Sequence, residues 1–294
     1  MMASCELCLD RAVFSSPNYC KAHFIDYIEN KVETTIKRFH LIKPEDKIAV
    51  AVSGGKDSQT VTYILHKLFG NVTAISIDEG IPGYRDATLK DMKTFCATYN
   101  IPHHIFSFEQ AFGKKLDTML QQGAPACRSC GVLRRNLLNK HAQGFDKIAT
   151  GHNLDDECQS LMMNFLKGTL FLSAKMGPAS GVHGQTGFVQ RIKPLYFCPE
   201  KEITAYAYLM GFPVRFNECP HAADGFRSKV RYSLNVIEQQ KTGTKLRMVE
   251  NFISILPTLK KVYAGYEMKV CTSCAQPSAH DLCKACTTIE VLHV

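Results

Sequence analysis

Two sets of residues in this 294-residue chain have the types and spacing for chemistry: one glycine-flanked lysine and thirteen cysteines. Ser53-Gly54-Gly55-Lys56-Asp57-Ser58 follows the apolar run 46–52 and precedes a helical stretch ending at Phe69. Two glycines let backbone N–H groups approach an anion, and a helix N-terminus adds unpaired N–H groups and a positive dipole end. Ser53 and Ser58 can donate hydroxyls, and Lys56 supplies a charge. The segment reads as a phosphate loop. It is not the usual mononucleotide P-loop, which needs Gly and Ser/Thr where Val50 and Asp57 stand. A second segment, Gly151-His152-Asn153-Leu154-Asp155-Asp156-Glu157, puts paired carboxylates after a strand. Asp155 and Asp156 could hold Mg2+ beside phosphates or cap the following helix.

The cysteines sort by spacing. Cys5-x-x-Cys8 with Cys20-x-x-His23 makes one four-ligand set, and Cys271-x-x-Cys274 with Cys283-x-x-Cys286 makes another. Such pairs of pairs match tetrahedral structural zinc, so two Zn2+ are expected. Cys127-x-x-Cys130 opens a helix, and Cys219 is a candidate third ligand. The helix N-terminus together with Arg128 and Arg134 is expected to lower these thiol pKa values. Three thiols suit an iron–sulfur cluster with one open iron, and composition leaves a redox disulfide or incidental thiols equally open. Cys96 and Cys158 read as packed thiols; Cys198 fits no pattern. An odd cysteine count argues against a complete disulfide framework.

These residues need positioning, and the pattern predicts an alternation of strand and helix. Strands are expected over 46–52, 72–78, 104–108 and 147–150. Helices should follow the first loop and cover 86–99, 130–141 and 155–166. Repeated βα units imply an α/β fold with a parallel sheet and helices on both faces. Ligands of such sheets bind at the strands' carboxyl ends, where Ser53, Ile77-Asp78 and Gly151-His152 all fall. The glycine-rich stretch 168–187 reads as a long mobile loop. His103 and His104 read as structural, and His152 as a phosphate contact or a structural hydrogen bond. The formal charge is +8 and concentrates in residues 191–270, with 13 Lys/Arg against 7 Asp/Glu. That suits nucleic acid or a solvated basic surface. Within it, Phe226 to Tyr232 interleaves aromatic and basic residues, as RNA contacts or an ordinary amphipathic helix would. No eighteen-residue apolar run and no secretory signal are present, so a cytoplasmic protein without membrane partners is expected.

The complete Ser-Gly-Gly-x-Asp-Ser match resembles the PP-loop ATP pyrophosphatases, and Gly151 to Asp156 matches the Gly-His-Asn-x-Asp-Asp segment of their tRNA-modifying branch. Together with the terminal cysteine sets, Cys127-x-x-Cys130, Cys219, the segment Asp78 to Asp86 and Cys130 to Arg135, the whole chain resembles the TtuA-like tRNA 2-thiouridine synthetases. That resemblance implies ATP cleaved between its α and β phosphates over Ser53–Ser58, with adenine and ribose at Ile77 and Asp78. It implies a 4Fe-4S cluster on Cys127, Cys130 and Cys219, with one iron free to carry sulfide. Arg134 takes the place of a phosphate-contacting base. Catalytic roles are expected for Cys127, Cys130, Cys219, Lys56, Asp57 and Asp155. Nucleotide contacts are expected from Gly151, Asp155 and Asp156 besides the loop. The implied partners are tRNA and a ubiquitin-like thiocarboxylate protein or free sulfide, with a homodimer as the assembly. Three units follow: an N-terminal zinc finger (1–30), a PP-loop catalytic domain with a basic tRNA-binding C-terminal part (31–265), and a C-terminal zinc ribbon (266–294). A cluster-free persulfide thiolase and a non-catalytic zinc-dependent RNA-binding protein are the alternatives.

Overall fold

The computed structural model describes residues 3–120, 126–180, 189–215, 219–221, 225–263, 269–278 and 280–292. The elements there are α1 (Lys21–Arg38), β1 (Ile48–Ala51), α2 (Lys56–Phe69), β2 (Val72–Asp78), α3 (Arg85–Thr98), β3 (His103–Ser107), α4 (Phe108–Phe112), α5 (Leu116–Met119), α6 (Ala126–His141) and β4 (Lys147–Thr150). They continue with α7 (Leu154–Leu166), α8 (Leu170–Ser173), β5 (Ala179–Ser180), β6 (Gln190–Ile192), α9 (Glu200–Leu209), α10 (Phe226–Gln240), α11 (Thr244–Val262), β7 (Lys269–Val270), β8 (Pro277–Ser278) and α12 (Lys284–Val291).

The main sheet runs β3-β2-β1-β4-β6-β5, parallel except for β5. Chain order reverses between β1 and β4, and such a switch point opens a crevice at the strand ends. Alternation along β1 decides what each face packs on. Ile48 and Val50 join a cluster with Phe24, Ile28 and Val32 of α1 and Val61, Ile64 and Leu65 of α2. Ala49 points the other way, with Ile75, Ile148 and Ala142, against which Leu138 of α6 packs. A third cluster joins α7 to α10 and α11 through Leu154, Cys158, Val230, Leu234, Val249 and Phe252. The basic C-terminal helices are thereby fixed to the helix that starts at the crevice.

The α/β fold with a mostly parallel sheet stands as the sequence implied, with differences at the ends of elements. The third strand ends at Ser107, not Phe108. Ser107 Oγ accepts from Gln110 N at 3.1 Å, and Gln110 Oε1 accepts from Ser107 N at 3.4 Å. That capping box starts α4 at Phe108. The stretch 168–187 is not one loop where it is described. It contains α8 and β5, the latter paired antiparallel with β6 through Ala179↔Ile192, while 181–188 lie outside the described residues. Cys96, Cys158 and Cys198 are all buried. Helix α1 runs unbroken through residue 30, with Phe24 to Ile36 in the central core. No helix among the described residues is long and apolar enough to cross a membrane.

Candidate functional site

The phosphate loop is the turn from β1 into α2, and its own atoms close it. Ser58 Oγ donates to Gly55 O at 2.8 Å and accepts from Ser53 N at 3.3 Å. Gln59, fully buried, donates to Gly54 O and to Pro213 O, both at 3.0 Å. Gly54 has φ +88°, and a Cβ there would stand 2.6 Å from Thr88 O, so only glycine fits. Gly55 is the N-cap of α2 without a side-chain cap, which leaves the first N–H groups of a 14-residue helix facing the crevice.

Charges surround the loop in alternating sign. Lys56 Nζ lies 3.1 Å from Asp57 Oδ2 and 3.0 Å from Glu200 Oε1 at the start of α9. Burial alone would lower this ammonium's pKa, but the two carboxylates outweigh it and hold the pKa above its usual value. Glu200 also receives Arg231 of α10 at 2.8 and 2.9 Å. Burial would raise Glu200, yet Arg231 and Lys56 keep it below the ordinary carboxylate range. The phosphate-loop lysine and the basic helix therefore share one acid. Glu200 and Arg85 were not singled out from sequence. The acidic first turn after Pro199 was the available signal for Glu200.

The two signature carboxylates divide their work. Asp155 is buried; it pairs with Lys245 Nζ and accepts from Glu200 N at 2.7 Å. Both oxygens are thus committed to holding α9 and α11. Asp156 closes a capping box with Asn153, which is the capping role weighed for these acids. Asn153 also donates to Asp57 Oδ1 at 3.0 Å. Desolvation and the nearby Asp57 and Glu200 carboxylates raise Asp156 to about 6, against the hydrogen bond from Asn153 N and the Arg227 charge. Such a group penalises the folded state once ionised. The penalty is absent below about pH 3.8 and complete above about pH 6. The side chain keeps 35% of its surface in solvent, which reduces the size of the effect. Asp156→Asn preserves the cap and is expected to raise Tm at pH 8, with the gain vanishing by pH 4. A pH-independent difference in thermal melts, or a loss at pH 8, would refute this origin. His152 is exposed, with Nδ1 2.9 Å from Thr150 Oγ1. His103 Nε2 lies 2.9 Å from Ser76 Oγ, as a structural histidine does.

Beyond β2, Asp78 Oδ1 accepts from Gly80 N at 2.9 Å and turns the chain, while Ile77 is buried. Arg85, 4% exposed, donates to Ile77 O and to Ser53 O, the latter at 2.6 Å. It pairs with Glu79 at 2.9 Å, and Glu79 reaches Arg134 of α6 at 3.6 Å. This chain of contacts joins the phosphate loop to the helix that carries Cys127 and Cys130. Cys130 and Cys219 pack against one apolar cluster, while Cys127 is exposed and donates Sγ to His221 O at 2.9 Å. The expected lowering of thiol pKa fails at Cys130. Burial and the facing Glu79 push it up to about 11; Cys219 and Cys127 add to this, and Arg134 opposes without prevailing. Cys127 and Cys219 are each close enough to Cys130 to help raise its pKa. Among the described residues, however, only the terminal sets bring their ligand atoms within 4.8 Å.

Those terminal sets are Cys5, Cys8, Cys20 and His23, and Cys271, Cys274, Cys283 and Cys286. None of the seven cysteines in them is in a disulfide, and each set could hold a metal ion. Cys20 is the N-cap of α1 and His23 lies in its first turn; Cys283 and Cys286 stand likewise on α12. A Cys-x-x-Cys or Cys-x-x-His pair across a helix start points both ligands to one side. The C-terminal set packs on α6: Cys271, Cys283, Ala285 and Leu292 share a cluster with Leu133 and Leu137, and Asn139 donates to Gln276 at 2.6 Å.

Comparison with known proteins agrees with this architecture. The sequence profile of the PP-loop domain matches residues 27–237. The tRNA-5-methyluridine(54) 2-sulfurtransferase of Pyrococcus horikoshii is 36% identical over 269 residues, covering 91% of this chain and 86% of the relative. The tRNA 2-thiolation protein NcsA of Haloferax volcanii is 32% identical, covering 95% and 94%. The solved U34-tRNA thiolase NcsA from Methanococcus maripaludis with its 4Fe-4S cluster superposes with a TM-score of 0.82 at 31% identity, covering 99% of this chain and 97% of that one. With the phosphate loop, the strand-end acids and both terminal cysteine sets in place, the chain belongs to the PP-loop family, in its branch of TtuA-like tRNA sulfurtransferases.

Proposed function

We propose that the chain is a tRNA 2-thiouridine synthetase working in two half-reactions. ATP lies with its phosphates over Ser53, Gly54, Gly55, Lys56, Asp57 and Ser58, its adenine and ribose toward Ile77 and Asp78. The O2 of a tRNA uridine attacks the α-phosphate, giving an adenylated base and pyrophosphate. Sulfide then attacks C2 and expels AMP. Adenylation is required because a carbonyl oxygen leaves poorly and AMP leaves well. Lys56 and the α2 N–H groups stabilise charge developing on the phosphates. Asp156 and Asp57 are read as the carboxylates that hold Mg2+, since desolvation and the neighbouring Asp57 charge already raise Asp156, and a cation there would relieve both. Asp155 is read as holding the frame through Lys245 and Glu200. Gly151 lets β4 approach the loop.

Cys127, Cys130 and Cys219 would hold a 4Fe-4S cluster, which when bound supplies an open iron for sulfide. The donor types fit: three thiols, with Cys130 and Cys219 against one apolar cluster and Cys127 open to solvent. The solved relative with its 4Fe-4S cluster supports the cluster over a persulfide relay. Zinc is the metal proposed for both terminal sets. The sulfur donor is a ubiquitin-like thiocarboxylate protein or free sulfide, and a homodimer in the cytoplasm is the proposed assembly. Residues 1–30, 31–265 and 266–294 are read as finger, catalytic domain and ribbon.

The observation that carries this reading is the contact chain Ser53–Arg85–Glu79–Arg134. It ties the phosphate loop to the cysteine helix across one crevice. Anaerobic incubation of reconstituted protein with tRNA and ATP should release AMP and pyrophosphate. Lys56→Ala should lower that release by about 10²–10³-fold, as loss of one transition-state donor does, while tRNA binding survives. Absence of any α-phosphate cleavage by the wild type would overturn the proposal. Mass spectrometry of tRNA from a deletion strain identifies the target uridine.

A further inference from the structure

Residues 158–199 contain no Asp or Glu, yet carry Lys167, Lys175, Arg191 and Lys193. Part of this acid-free stretch forms a surface. The end of α7 and the short α8 expose Phe165 to 67%, Leu166 to 57%, Leu170 to 41% and Phe171 to 43%. Phe226, opening α10, is 42% exposed, and Lys167 Nζ sits 5.1 Å from its ring centroid. The first turns of α10 continue the pattern with exposed Lys229 and Tyr232, and no acid occurs before Glu238. Exposed apolar groups of this number, gathered at the end of α7, in α8 and at the start of α10, mark an interaction site. Their charge selects the partner. A surface of rings interleaved only with cations suits a polyanion that also presents flat apolar faces, which is unpaired nucleic acid.

Position supports the same occupant. Helix α7 starts immediately after Gly151-His152-Asn153 at the crevice, and a rise of 1.5 Å per residue puts Phe165 about 16 Å along it from Leu154. Arg227 lies next to Phe226 and reaches Gln159 Oε1 at 3.0 Å and Asp156 Oδ1 at 3.7 Å, so the surface is continuous with the site. An enzyme that acts on a base must take it out of the stack. The neighbouring nucleotides then lose a stacking partner.

We infer that Phe165, Leu166, Phe171 and Phe226, with Lys167, form a stacking platform for the unpaired nucleotides that flank the target uridine. This rests on the tRNA thiolation reading and adds where the loop lies. The test is fluorescence anisotropy of a labelled tRNA with the full-length holoprotein between 50 and 200 mM salt. F165A/F171A should weaken binding by on the order of 10-fold per ring, the usual worth of a base–aromatic stack. K167Q should reduce the slope of log K against log salt by about 0.7, one single-strand phosphate contact. Both variants alter exposed side chains, and both should bind ATP and hold the wild-type oligomeric state by light scattering. Unchanged tRNA affinity in F165A/F171A overturns the platform alone. So does a variant that changes oligomeric state but not tRNA affinity, which would mark the face as an interface between copies of this chain. A wild type that binds no tRNA would overturn the function reading itself.

Discussion

Gly151→Ala is expected to lower ATP cleavage by about 10³-fold in a protein that still folds. A Cβ at residue 151 would stand 2.8 Å from Asp57 C, 2.9 Å from Ser58 N and 3.0 Å from Asp57 O. All three are backbone atoms, so no side chain can swing aside. The strands cannot part either, since Thr150 is held in register with Ala51 of β1. The first turn of α2 must therefore move, carrying Lys56 and every N–H that faces the phosphates. Losing one preorganised donor typically costs 10²–10³-fold, and here several shift together. The stability cost should stay near that of overpacking, about 1–3 kcal/mol. Gly55→Ala is the control. Its Cβ would meet only Ser53 Oγ at 3.5 Å, and at an N-cap the change costs less than about 1 kcal/mol. Pyrophosphate release and thermal melts read both variants. Near-normal turnover in Gly151→Ala would mean that the loop has slack the contacts deny.

Much of this site is legible from local pattern. An apolar strand ending in Ser-Gly-Gly, and a helix after it, can be read without tertiary knowledge because strand, loop and helix are contiguous from Ile48 to Phe69. The terminal cysteine sets are equally local, one pair of each set sitting across a helix start. What sequence does not reveal is long-range pairing. Glu200 lies 144 residues from Lys56 and 31 from Arg231, and nothing in its own neighbourhood marks it as their shared partner. Asp155 shows the opposite failure. Its motif marks it for the nucleotide, yet Lys245, 90 residues away, claims one oxygen and the α9 N-terminus the other. Cys130 fails through burial: position on a helix start predicts a lowered pKa, and the packed environment reverses the sign. In each case the local rule holds, and a term visible only in the folded chain outweighs it.

Cys283→Ser is expected to separate the two half-reactions. With zinc as the proposed metal, the protein should fall from two equivalents to about one, and the ribbon should lose most of a metal-coupled folding free energy that is roughly 10 kcal/mol in small zinc peptides. Cys283 has a second role: its Sγ accepts from Cys286 N at 3.4 Å as the N-cap of α12. Release of that helix removes Cys271, Ala285 and Leu292 from the cluster that covers Leu133 and Leu137. Helix α6 then loses its outer support, and Cys127 and Cys130 ride on α6. The phosphate loop packs against β4, α3 and Pro213; it reaches α6 only through Arg85, Glu79 and the long 3.6 Å contact to Arg134, and should be spared. AMP and pyrophosphate formation should therefore persist within a few-fold while 2-thiouridine in the product tRNA drops by at least about 10-fold, the lower bound for a lost supporting contact at a metal site. Hydrogen exchange should show protection lost over 269–292 and reduced over 126–141, with 48–69 unchanged. Equal loss of both half-reactions, or full thiolation without the second zinc, would refute a ribbon that acts by holding α6.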